Sequence, residues 1–486
     1  MTTDVGTSKT TAPGGLAVEA NGINVIDESE RKGRPSGLFW PWCAANIAVL
    51  GVSYGYFVLS NGVSFWQAAL AGVLGIVVSF LFVGLVSLAG KRGSAPTMVL
   101  SRAAFGVHGN ALPSAVSYLL LVGWEVVLVS LSTKAVATVF ETLGWSHGTP
   151  VKVIAFLAVV AIIVLAGIKG FDAILRLQTW LTIGLAIVTV GYILLTLDEV
   201  HWSTVSGLPG GSFKAVLGAA VTTGAAFGLG WVNAGADYSR YLPRNASSRG
   251  VVGWTTFGAS IAPIILLVYG ILLVGSSKDL SDAISTDPIG ALAGVLPNWF
   301  LIPFVVVAVG GLISGAVLDI YSSGLTLLTL GLRIERWQAA AIDGVLMILG
   351  SIYVVFIATD FFGPFQAFLI TLGVPIAAWC GVFLADLALR RRDYDQAALY
   401  DARGRYGSIG WVAVLAMVVG TALGWGLVTG YSDAFTWEGY LFRFGFGGKD
   451  GSWAYTGLGV LVALAVGFLL PTILSRRTVA AQEQSA

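Results

Sequence analysis

The sequence predicts an all-α polytopic membrane protein of twelve transmembrane helices. The first ten form two inverted five-helix repeats, and helices 1 and 6 are discontinuous. Three observations carry the prediction. Of 486 residues, 56% are hydrophobic and only 11% charged, with mean hydropathy +0.83, a balance no soluble domain of this size needs to fill its core. A bilayer core of ~30 Å takes about 20 apolar residues per helix, and stretches of that order recur from residue 39 to residue 474. Clusters of glycine interrupt two of those stretches at matching places.

In order, the apolar runs place spans at 39–60, 65–90, 112–140, 151–168, 177–197, 214–236, 251–275, 301–330, 338–359, 364–389, 408–429 and 453–474. Residues 1–37 and 475–486 are polar tails, 38–197 and 198–389 the two repeats, and 390–474 the last two helices. Cytoplasmic loops collect Lys and Arg. With the N-terminus inside, 21 of the 27 basic residues, from Lys9 and Arg31 to Arg476 and Arg477, fall on that side. Lys134, Lys152, Lys214, Lys278, Arg443 and Lys449 lie elsewhere. Both termini are expected in the cytoplasm of a plasma (inner) membrane protein, with no secretory signal peptide in the polar start.

Several function classes drop out. A formal net charge of +1 gives no basis for nucleic-acid binding. Cys43 and Cys380 fall inside spans and imply neither a disulfide nor a metal site. His108, His147 and His201 sit in separate loops, so no catalytic or metal cluster forms from them. "GFGGKDGS" near residue 445 resembles a phosphate loop, but Lys449 is followed by Asp450 rather than Ser or Thr. The sequon at Asn245 lies in an expected cytoplasmic loop and is expected unused. The chain is not expected to be an enzyme, to carry a cofactor or to need an obligate protein partner.

The first span reads "FWPWCAANIAVLGVSYGYFVLS", with Asn46, Gly51, Ser53 and Gly55 near its middle. The sixth reads "VLGAAVTTGAAFGLGWVNAGAD", with Gly224, Gly228, Gly230, Asn233 and Gly235. Unwound backbone is tolerated in lipid only where it is buried in protein or lines a cavity. Gly-broken helices at corresponding places of two inverted repeats mark the midplane site of a secondary transporter. The other reading is close helix packing through small residues.

Several stretches resemble one family. "WCAANIAVLGVSYG", "GSAPTMVLSRAAFGVHGN", "GWEVVLVSLST", "GWVNAGADYSRYLP" and "DIYSSGL" are similar to the nucleobase:cation symporter-1 family, in its cytosine and purine permease branch. The likeness runs from about residue 35 to 390. It implies a leucine-transporter type fold and import of a nucleobase coupled to a cation, H+ or Na+. Allantoin, a hydantoin and a thiamine precursor are the alternative substrates within the family.

The resemblance implies that Trp124 and Trp231 flank a planar substrate. A flat ring gains ~1–3 kcal/mol by stacking on an aromatic face, largely whatever the ring, so edge hydrogen bonds must give selectivity. Either Trp could instead belong to an interfacial belt or a packed core. Leu128 and Asp319 depart from the amide residues the family often has, which leaves substrate identity open. Glu125 and Asp319 are intramembrane carboxylates and functional candidates for that reason. Each suits the N–H edge of an aminopurine or aminopyrimidine, or the coupled proton. Glu125 points about 100° from Trp124 around the helix, so both cannot face one small ligand squarely. Asn46 and Asn233 either offer amide edges to the substrate or tie the broken helices together. Gly51 and Gly228 would bring backbone to the ligand.

A cation site between the first and eighth spans is also implied, from Ser314, Gly310 and carbonyls near Ala45 and Ala48, with Asp319 as an alternative coupling group. Ile313 is apolar where a second hydroxyl is expected, which tilts the coupling toward protons and leaves no firm metal site. Asp237 and Arg240, at i and i+3, suit a local ion pair or an inner-gate anchor. An amino-acid symporter of the same fold would need carboxylate recognition rather than two stacking aromatics. A channel would need a continuous polar pore, and a membrane enzyme a catalytic constellation.

Overall fold

The computed structural model describes residues 21–145, 148–169, 171–286, 288–357, 362–430 and 435–484. Lys9, His147 and the junction expected between the ninth and tenth spans lie outside them. Among the described residues the chain is helical, without strands.

Each expected span has its helix. The second, Phe65–Gly93, starts at a capping box of Ser64 and Gln67, which satisfies two otherwise orphaned N–H donors. The third, fourth and fifth are Ala111–Thr142, Thr149–Lys169 and Phe171–Leu195. The seventh and eighth are Ser248–Ser276 and Leu301–Thr329. The ninth, Arg336–Ile352, widens into a π turn at Tyr353–Ile357, and the tenth is Phe362–Leu389. The last two are Trp411–Trp425 and Leu458–Leu474, of 15 and 17 residues. Two short helices, Lys278–Thr286 and Pro288–Gly294, join spans 7 and 8.

The first and sixth spans are broken. The first runs Phe39–Asn46, bends by 70°, and resumes as Leu50–Leu59. The sixth is helical over Phe213–Ala226, then passes into 3-10 turns at Gly228–Gly230 and Val232–Ala234. Main-chain groups freed in this way need partners, since lipid offers none.

Spans 1, 2, 6 and 7 pack on one another, as do spans 3 and 8 with 4, 5 and 9, and spans 10, 11 and 12 among themselves. In the first group the helices meet backbone to backbone. A Cβ on Gly270 would lie 2.0 Å from the Val52 carbonyl oxygen, and one on Gly75 2.4 Å from that of Ala220. Only glycine permits such approaches. Cys43 and Cys380 are buried free thiols.

Candidate functional site

A cavity opens between the two helix groups at the breaks. In the first span Asn46 closes the leading helix, with its amide Nδ2 donating to the Trp42 carbonyl at 2.8 Å. Ile47 then leaves helical geometry, at φ −91° and ψ 55°, and Gly51 resumes hydrogen bonding through Ala48 O at 2.8 Å. Ala45, Asn46, Ala48 and Gly51 therefore all line the cavity.

The unwound part of the sixth span is held by hydroxyls from its neighbours. Gly228 N–H donates to Ser79 Oγ at 3.1 Å, and Ser87 Oγ donates to Gly235 O at 2.7 Å. Ala236 N–H donates to Thr97 Oγ1 at 3.0 Å. The second span and the segment after it thus supply the partners the break requires. Asn233 turns its amide to Ser117 Oγ at 2.8 Å, and so ties the break to the third span rather than lining the cavity. Gly228 likewise packs on Ser79.

Trp231 and Trp124 both line the cavity and stay partly exposed. Trp231 is set by Trp42, whose ring meets it edge on at 5.6 Å and 90°. Trp124 is braced by Phe368, 6.3 Å away at 79°, and a Cβ on Gly230 would meet its Nε1 at 3.0 Å. Edge-to-face contacts of this kind fix the planes of the two indoles.

The eighth span presents Gly311, Gly315 and Asp319 to the cavity, one residue per turn on a single stripe. Asp319 is the one charged residue in the lining, which is otherwise apolar or aromatic apart from Asn46 and the phenol of Tyr54. Glu125 is absent from it. Counted among the expected substrate-binding residues, Glu125 instead turns its carboxylate elsewhere, accepting from Ser323 Oγ at 2.8 Å, since the helical step carries it about 100° from Trp124.

Of the residues expected around a cation, Ala45, Ala48 and Asp319 line the cavity, whereas Ser314 and Gly310 face the fifth span. Ser314 lies on the next stripe and engages Gln178 of the fifth span through both its hydroxyl and its carbonyl, the latter accepting from Gln178 Nε2 at 2.9 Å. Gly310 faces Leu181 and Leu185. A hard cation takes a shell of oxygen ligands, and apolar Ile313, between Gly310 and Ser314 in sequence, adds no side-chain oxygen.

Asp237 and Arg240 reach different partners. The Asp237 carboxylate accepts from the Thr97 N–H and hydroxyl. Arg240 donates to Gly22 O at 2.8 Å and to the Tyr321 hydroxyl at 2.9 Å. Arg31 donates to Leu242 O and Lys91 O, so the segment after residue 21 straps this end of the sixth span.

Leu50, Tyr54, Ala226, Phe227 and Leu312 also line the cavity without having been singled out from the sequence. Their signal was present, since each lies within one turn of a break or of the 311 to 319 stripe.

A family model described as "Permease for cytosine/purines, uracil, thiamine, allantoin" matches residues 25–445. Among curated proteins, YxlA of Bacillus subtilis (strain 168) is 24% identical over 84% of this chain and 88% of its own. The cytosine permease of Escherichia coli (strain K12) is 26% identical over 75% of this chain and 80% of its own. Mhp1, a nucleobase-cation-symport-1 family transporter solved in a closed conformation with bromovinylhydantoin bound, superposes with a TM-score of 0.68 at 18% identity, covering 96% of each chain. A Na+-coupled sialic acid symporter superposes at 0.61 with 11% identity, over 91% of this chain and 90% of its own. The fold is shared with both.

Proposed function

This chain belongs to the family of permeases for cytosine/purines, uracil, thiamine and allantoin, and from that premise we propose that it imports a planar nucleobase bearing N–H donors, cytosine or an aminopurine, by proton symport. One observation carries the substrate class. Two indoles and a single carboxylate, Trp124, Trp231 and Asp319, line the same cavity, with no basic side chain in the lining. Stacking holds any flat heteroaromatic ring, and a carboxylate, acceptor only when ionised, takes two N–H donors of one ring edge. The same carboxylate opposes an anionic ligand, which disfavours the amino-acid reading. Allantoin and hydantoin share the N–H edge and are the second reading, favoured by the bound hydantoin of Mhp1.

Proton coupling is supported by the engagement of Ser314 with Gln178. Alternating access rocks spans 1, 2, 6 and 7 about the cavity. The basic-residue asymmetry supports cytoplasmic termini in a plasma membrane, with the Asp237 end of the sixth span on the same side.

Uptake of radiolabelled cytosine into proteoliposomes under separately imposed proton and sodium gradients tests the reading, with adenine, hypoxanthine, uracil and allantoin as competitors. Saturable uptake driven by the proton gradient and displaced by adenine supports it. Displacement by allantoin alone moves the substrate to the second reading, and no uptake or displacement under either gradient refutes both.

A further inference from the structure

Glu125 of the third span and Asp343 of the ninth meet at Ser323 of the eighth, and all three side chains are fully buried. Ser323 Oγ lies 2.8 Å from Glu125 Oε1 and is hydrogen-bonded to Asp343 Oδ2 as well. The two carboxyl groups face each other. A hydroxyl has one hydrogen to give. Ser323 can donate to one carboxylate only, so its second contact needs an O–H on the other acid.

The remaining oxygens point the same way. Glu125 Oε2 and Asp343 Oδ1 are buried without a donor. Tyr118, 9% exposed, aims an otherwise unpartnered hydroxyl at Asp343. The groups that act on the pair are Ser323, Tyr118 and Asp319, and none is a cation. The fourth span, also packed on the ninth, meets it there with the apolar Val164. Two ionised carboxylates in contact in a dry interior repel each other and lack donors, and a single bound proton removes both faults. Among the described residues no group of three His, Cys, Asp or Glu side chains could hold a metal ion in its place.

We propose that Glu125 and Asp343, bridged by Ser323, are the site that binds the coupling proton. The inference rests on the transport reading above and supplies the residues that reading lacks. In the cycle the pair alternates between one proton and none. The proton arrives from water on the side of higher proton activity, forms an O–H bond on one carboxyl group, and leaves to water on the other side; no other covalent bond changes. Coupling to substrate follows from shared helices. Glu125 adjoins Trp124, and Ser323 lies one turn beyond Asp319, so the third and eighth spans each carry both a wall of the cavity and a member of the proton site.

Two measurements on the full chain test the proposal. In proteoliposomes, a pH gradient of one unit drives roughly tenfold accumulation at one proton per substrate. In Glu125→Gln and Asp343→Asn, which imitate the protonated acids, accumulation is expected to fall to the equilibrium level, and counterflow exchange of cytosine to become independent of pH. Wild-type accumulation in both variants, or accumulation of wild type under a sodium gradient alone, overturns the proposal. The second measurement needs no substrate. Infrared difference spectra of the purified protein on titration should show a protonated-carboxyl band at neutral pH that is diminished in either variant. Absence of that band in wild type, or its persistence unchanged in both variants, also overturns the proposal. If wild type transports no nucleobase but shows the band, the substrate reading fails and the proton site stands.

Discussion

Asp237 Oδ1 accepts two hydrogen bonds from one residue, the backbone N–H of Thr97 at 2.7 Å and its hydroxyl at 2.7 Å. Thr97 in turn takes the N–H of Ala236. The loop after the second span and the unwound end of the sixth are therefore one hydrogen-bonded unit. In Asp237→Ala the buried Thr97 donors lose their acceptor, which costs about 1–3 kcal/mol. The thermal midpoint in detergent is expected to fall measurably, and Asp237→Asn, which keeps one acceptor, to restore most of the loss. An unchanged midpoint in Asp237→Ala would remove the unit from the account.

Stacking on Trp231 makes a separate prediction about affinity. Trp231→Ala should weaken nucleobase binding by ~1–3 kcal/mol, about 5- to 150-fold in Kd, while Trp231→Phe loses less. Isothermal titration on the purified protein reads both. Equal Kd in wild type and Trp231→Ala would place the substrate elsewhere.

Two glycines two residues apart in the sequence should respond differently to a methyl group. A Cβ at Gly228 would stand 2.3 Å from the Ser79 carbonyl carbon and 2.5 Å from Phe80 N, both main-chain atoms that cannot yield. At Gly230 it would meet the Trp124 indole at 3.0 Å, and a side chain can move. Gly228→Ala is expected to lose folded protein on size-exclusion chromatography, whereas Gly230→Ala should elute normally with altered Kd. The reverse ranking would contradict the packing described here.

Sodium should be dispensable. With Ser314 engaged by Gln178, replacement of sodium by choline on both sides of the membrane is expected to leave wild-type uptake unchanged. Gln178→Ala frees both groups of Ser314, and this variant is where sodium stimulation, if any, should emerge. Stimulation of wild-type uptake by sodium would refute the prediction.

The two breaks were legible because glycines and amides interrupt apolar runs at matching places, and composition has few reasons to do that twice. The helical step after Trp124 showed that Trp124 and Glu125 could not both face one small ligand squarely, but not which of them the cavity would take. Asp343 and Gln178 went unread, although both are polar residues within spans and fall under the rule that singled out Glu125 and Asp319. Sequence shows that a span carries a polar group; it does not show which neighbour that group will meet. The same limit explains Ser314 and Gly310. One residue of offset from the 311, 315, 319 stripe rotates them by about 100°, toward the fifth span.

The backbone-close glycines of spans 1, 2, 6 and 7 bear on how this chain should tolerate change. Where Gly270 abuts Val52 and Gly75 abuts Ala220, neither partner can slide without a clash. Gly315, by contrast, meets the Leu128 side chain at 3.1 Å, a contact that rotamer changes can remake. A saturation-mutagenesis map scored by transport should therefore divide its glycines into two sets. Those that admit nothing larger would outline the parts that travel as one piece, and those that admit alanine would trace the seam along which the pieces move.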